Sequence, residues 1–217
     1  MGSNPAIPTT GSGVRAVAVL GAETAVGAAI VDELTATGFS VAALADHEPM
    51  PPATAAVIDA GPLREPTVVG DLVSLAAADW RQEAEVPLRR ARLVLQAAHR
   101  CLQDAGGRVV VLLPSVVMTG AAGVAAWAAA AEGYRSLTKA AARAWGADRI
   151  SIQCVVVPVS LCGGSVADRP GLQPPALGRT PGPRADIAPA IAALLDPRFD
   201  AVTGSTLAID GGVWMTP

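Results

Sequence analysis

Few side chains in this sequence can do chemistry, and they can be weighed one at a time. Ser115 closes an apolar, β-branched run, Arg108 to Pro114 (RVVVLLP), but no general base is visible to activate its hydroxyl. Tyr134 is the only tyrosine, and Lys139 follows it by five residues, which puts the two side chains on different faces of a helix. His47, His99, Cys101, Cys154 and Cys162 show no repeated ligand spacing, so they are assigned to packing and no metal site is expected. The segment Gly21 to Gly27 (GAETAVG) is a glycine-bearing turn that opens a helix, and Asp46 lies about 20 residues further on. Backbone N–H groups at such a turn can cradle a pyrophosphate, and an acid at that distance can take the ribose hydroxyls of NAD. A tight turn kept for packing and an ordinary solvated aspartate explain the same residues equally well.

The elements that must position these groups alternate. Arg15 to Leu20 is strand-like, and the helix after it carries Val26, Ala29, Ile30 and Leu34 at helical spacing until Gly38. Ser40 to Ala45 is a second strand, and Ala55 to Asp59 follows after only eight residues, His47 to Thr54. A long helix opens at Asp79-Trp80 and stops at Gly106-Gly107, ahead of the buried strand that ends beside Ser115. Gly123 precedes an alanine-rich helix, Ile150 to Val157 is another buried strand, Ser160 to Pro183 is a Gly/Pro-rich loop, and a helix and strand close the chain. In the alanine-rich helix, Ala126, Ala130, Gly133, Leu137 and Ala144 form a small-residue stripe opposite Glu132, Arg135, Lys139 and Arg143, and that stripe is expected against the sheet.

Composition sets the outer limits. With 51% hydrophobic and 16% charged residues among 217, one α/β domain over residues 14–217 is expected behind a disordered tail at 1–13, whose Met-Gly-Ser start reads as a cloning scar. A net charge of −3 argues against a nucleic-acid surface. The uncharged run Val109 to Ala131 is broken by Pro114, Ser115, Thr119, Gly120 and Gly123, so no membrane segment is expected. Three cysteines, with no secretory signal read ahead of them, point to the cytoplasm.

Taken in order, these segments resemble the short-chain dehydrogenase/reductase family. The family's catalytic serine falls on Ser115; its tyrosine is due at Trp127, its lysine at Ala131 and its fourth residue, an asparagine, at Pro87 within Val86-Pro87-Leu88. In the family the tyrosine exchanges a proton with substrate, and the lysine lowers its pKa while holding the nicotinamide ribose. Indole does not ionise near neutral pH, and alanine offers no charge, so the resemblance implies a lost proton path. The family's glycine turn matches Gly21 and Gly27 but has Ala25 as its middle member, with Thr24 and Val26 among the residues facing the cofactor. Asp59-Ala60-Gly61 resembles the end of the family's Asn-Asn-Ala-Gly, and Pro158 matches its Pro-Gly proline, with Val159 in place of the glycine that admits nicotinamide.

The short interval after Asp46 leaves two assignments for Ala55 to Asp59: the family's third strand, with Thr67 to Gly70 as the fourth, or the fourth strand itself. The second is preferred, because losing an edge strand leaves the hydrogen-bond ladder intact. The expected architecture is therefore a Rossmann-like, doubly wound parallel sheet without the third, edge strand and its flanking helices. A connector rich in proline, EPMPP, can recross the sheet, since nine residues reach roughly 30 Å. Two function classes follow. One is a non-catalytic scaffold or inactive partner of an active reductase, homo- or hetero-oligomeric, with no cofactor or weak NAD(H) binding; it is favoured by the losses at Pro87, Trp127, Ala131 and Val159. The other is an atypical NAD(P)-dependent oxidoreductase or a repurposed non-redox enzyme.

Overall fold

The structure, a computed structural model, describes residues 16–46, 48–167 and 174–215. The tail expected at 1–13, His47 and residues 168–173 of the Gly/Pro-rich loop lie outside them. Six strands form one wholly parallel sheet: β1 (Ala16–Leu20), β2 (Ser40–Leu44), β3 (Ala56–Asp59), β4 (Gly107–Pro114), β5 (Ile150–Val157) and β6 (Thr206–Ala208). Their spatial order is β2-β1-β3-β4-β5-β6. Strand β3 pairs directly with β1, in register from Val17↔Ala56 to Leu20↔Asp59, and β2 is left as the edge. The interval after Asp46 has thus removed an edge strand and left the centre continuous, as the edge-deletion assignment expects. Thr67 to Gly70 forms no strand.

Helices cover both faces, as a parallel sheet requires. The helices α1 (Ala25–Ala36), α2 (Ala77–Trp80), α3 (Val86–Leu102), α4 (Val116–Thr119), α5 (Ala125–Ala144), α6 (Gly164–Ala167) and α7 (Ala188–Leu194) follow in chain order. Helices α1 and α7 pack together, burying Val26, Ile30, Leu34, Ile187 and Ile191. Helices α3 and α5 pack together with Val94, Ala98, Leu102 and Tyr134 buried. The connector from β2 to β3 crosses without a helix, on the α3 side, where Met50 packs and the Cys101 thiol donates to the Pro51 carbonyl at 3.8 Å. Its return turn places Ala53 at φ +64°, a conformation that costs a non-glycine residue about 1 kcal/mol. No described helix is long and apolar enough to cross a membrane.

The bend expected at Pro87 takes the form of a wide turn. Residues Arg81–Glu85 are π-helical, with the Val86 N–H donating to the Arg81 carbonyl. Proline has no N–H, and its ring would strike the carbonyl four residues earlier, that of Glu83, so the wider turn relieves both faults. The same device recurs at Pro183–Ile187, just before Pro189.

The face assignment for α5 needs correction. Its buried row is Trp127, Ala131, Tyr134 and Thr138, joined by Ala126, Ala130, Ala141 and Ala142, whereas Gly133 and Leu137 are half-buried and Ala144 is exposed. Two aromatic rings remove far more apolar area from water than a row of methyls, so they set the inward face. Gly133 instead meets α3: a Cβ there would lie 2.9 Å from Leu88 Cδ1.

Candidate functional site

The crevice lies beyond the C-terminal ends of β1, β2 and β3, where the strand order reverses and doubly wound folds place their ligands. Its centre is Asp59, the last residue of a four-residue strand whose every member is buried. A carboxylate with 0% exposure must be paired and fully hydrogen-bonded. Asp59 Oδ1 accepts from the Gly61 N–H at 2.9 Å and from Arg90 Nη2 at 2.7 Å; Oδ2 accepts from Arg90 Nη1 at 2.8 Å and from the Tyr134 hydroxyl at 2.8 Å.

The network continues outward from Arg90. Its Nη2 also reaches Asp46 Oδ1 at 2.6 Å, Arg64 Nη1 donates to Asp46 Oδ2 at 2.9 Å, and Arg64 Nε donates to Glu23 Oε1 at 2.5 Å. Burial works to raise the Asp46 carboxyl, but Arg90 and Arg64 outweigh it and hold the pKa below its usual value. Burial likewise opposes the Arg90 charge, and Asp59 and Asp46 more than offset it. Tyr134 moves the wrong way for a proton donor: desolvation, then the Asp59 charge, push its phenol well above the ordinary value, against the opposing pull of Arg90.

The two turns beside this network touch. Gly21 sits at φ +76°, and a Cβ on it would lie 2.3 Å from the Gly61 nitrogen; a Cβ on Gly27 would lie 2.1 Å from the Gly21 carbonyl oxygen. Thr24 caps α1 by accepting from the Gly27 N–H at 3.0 Å and donates its hydroxyl to Gly21 at 2.8 Å. Packing therefore accounts for both glycines, Thr24 closes the turn, and Val26 is buried in the core. Ala60 and Gly61 form the facing turn, and the Arg90 guanidinium lies across Gly61, 2.2 Å from where a Cβ would stand.

Pro87, Trp127, Ala131 and Tyr134 all line the cleft between α3 and α5. Ser115 is set apart. It is buried at the end of β4, and its Oγ accepts from the Val159 N–H at 3.2 Å, which also ties down the turn after Pro158. Lys139 is exposed and forms no pair with Tyr134. His99 packs against Trp145 with the rings tilted by 45° and 4.9 Å between centroids, and meets Asp148 at 2.9 Å. Among the described residues, no group of three or more His, Cys, Asp or Glu is placed to hold a metal.

Sequence reasoning missed Arg90, Arg64 and Glu83. A signal for Arg90 was present: it falls four and eight residues before Val94 and Ala98, on the apolar face of an amphipathic helix, where a guanidinium needs an acid.

A dinucleotide does not fit this arrangement as it stands. Both Asp46 oxygens that would take ribose hydroxyls are held by arginines, Arg90 covers Gly61, and among the described residues no strand lies beyond β2 to form the far wall.

Comparison with known proteins gives the chain's family and confirms its fold. The family model described as enoyl-(acyl carrier protein) reductase matches residues 54–214. A 12alpha-hydroxysteroid dehydrogenase from a Clostridium species is 30% identical over 124 residues, 54% of this chain and 48% of that protein, so the match spans about half the length of the curated relative. A short-chain dehydrogenase/reductase from Serratia marcescens superposes with a TM-score of 0.72 at 23% identity, covering 92% of this chain and 97% of that one. A dehydrogenase/reductase from Sinorhizobium meliloti gives 0.73 at 20% identity, covering 93% and 95%. At such identities the two structures establish the fold.

Proposed function

The chain belongs to the short-chain dehydrogenase/reductase family, and from that premise we propose that it has given up hydride transfer and serves as a scaffold or as the inactive subunit beside an active reductase. One observation carries this: the acid that would take the cofactor's ribose is engaged in the crevice's own ion-pair network, Tyr134–Asp59–Arg90–Asp46–Arg64. A site built for NAD(H) keeps its acid available; here Arg90 and Arg64 neutralise Asp46. The proton path fails independently, since Trp127 and Ala131 can neither ionise usefully nor supply charge, and Tyr134 is held protonated by burial and Asp59. Weak NAD(H) binding at most is expected.

The competing reading is an oxidoreductase with an atypical site, which the relatives' names favour. Restoring the proton path distinguishes the two. Trp127→Tyr, Ala131→Lys and Pro87→Asn together rebuild the relay, yet hydride transfer also needs nicotinamide held in near-attack geometry by binding energy from the adenosine half. Neither the wild-type chain nor the triple variant is expected to turn over generic ketones with NADH or NADPH, alongside an active family member as control. Appreciable turnover by either would contradict the proposal. As a subunit the chain is expected to be at least dimeric and cytoplasmic, in keeping with three unpaired cysteines. Sedimentation as a monomer, with no reductase recovered in a pull-down, would argue against the partner role.

A further inference from the structure

We propose that the cleft between α3 and α5 takes a compact ligand carrying a protonated amine on an apolar body, an inference that rests on the proposed function, in which the Asp46 crevice does not serve a dinucleotide. The cavity measures about 270 Å³, at the small end for ligand pockets. One side is apolar, formed by Val86, Pro87, Trp127, Ala130 and Ala131, and the other is charged, with Glu83 and Glu65 beside the Asp46–Arg64–Arg90 network. Glu83 is 5% exposed, yet its carboxylate is only half used. Oε1 accepts from the Thr67 N–H at 3.0 Å, the Val68 N–H at 3.1 Å and the Thr67 hydroxyl, while Oε2 accepts no hydrogen bond among the described residues. Glu83 lines the cavity, and a carboxylate oxygen with no protein donor there is an acceptor for a ligand that brings one.

Charge selects the donor. Both guanidinium groups of the lining are already committed, Arg90 to Asp59 and Asp46, Arg64 to Asp46 and Glu23. Two arginines against three acids leave that network negative before Glu83 is added, so a cation is attracted and an anion repelled. The wide turn at Arg81–Glu85 carries Gln82 and Glu83 into the wall, and Pro87 two residues beyond it maintains that turn.

The test is calorimetric titration of the full chain with benzylamine, benzoate and NADH, on wild type and on two variants. Benzylamine is expected to bind at least tenfold more tightly than benzoate of the same size, and Glu83→Gln to remove at least that advantage. Ala131→Leu fills the cleft without touching the hydrogen bonds of Glu83 and is expected to abolish binding; it carries the test if Glu83→Gln does not fold. No binding of benzylamine, binding equal to that of benzoate, or indifference to both substitutions would overturn the proposal. Micromolar binding of NADH in the same series would overturn the premise of an unavailable cofactor crevice instead, whereas failure of benzylamine alone leaves that premise standing.

Discussion

Asp59 and Tyr134 show how much one buried contact decides. The sequence presents Asp59 as the first residue of a cofactor-facing turn and Tyr134 as a tyrosine out of register, and nothing local joins them across 75 positions. Because Tyr134 is the only tyrosine, its titration can be followed directly by phenolate absorbance. The folded chain keeps the phenol proton above the ordinary value of 10.0, so this group stabilises fully below that pH and its contribution is lost as pH rises toward the folded value. The expected outcome is no phenolate signal in the folded protein at pH 10, appearing only with loss of circular dichroism; reversible ionisation near 10 with the fold intact would refute it. A second outcome concerns Arg90. Arg90→Ala strands a fully buried carboxylate and is expected to cost about 3–5 kcal/mol in denaturant unfolding. Arg64→Ala, at a side chain 41% exposed, should stay within about 1 kcal/mol.

At the scale of elements, what was legible was what repeats. Strands announced themselves as β-branched runs between glycines, and the eight-residue gap after Asp46 was short enough to force a choice about the edge. Less legible was which side of α5 turns inward, because alanine occupies every face of that helix and the decision passes to Trp127 and Tyr134. The wide turns were signalled by Pro87 and Pro189, but a proline announces a fault without saying whether a kink or a π-turn repairs it. The edge deletion makes its own prediction. With β2 paired among the described residues to β1 alone, alternate amides of Ser40–Leu44 point to solvent and should exchange rapidly, while Val109–Val111, flanked on both sides, are protected. Uniform protection along β2 in hydrogen exchange would mean that a further strand covers it.

The whole molecule keeps the family's layers, while Pro87, Trp127, Ala131 and Val159 stand where the family's functional residues are due. Sequence order of motifs was enough to place the fold, since helices α1 and α7 on one face and α3 and α5 on the other follow from βα alternation. Function was less legible because it depends on which charges meet at one end of the sheet, and the partners there, Glu23, Asp46, Asp59, Arg64 and Arg90, come from separate segments of the chain. Fold alone does not decide activity. The central claim is that the charged groups of this crevice are committed to one another, so that the family's cofactor finds no acid free to hold it. Titration of the purified chain with NADH and NADPH in a calorimeter tests it most directly: no binding in the micromolar range is predicted for either, and micromolar affinity for either would contradict the account.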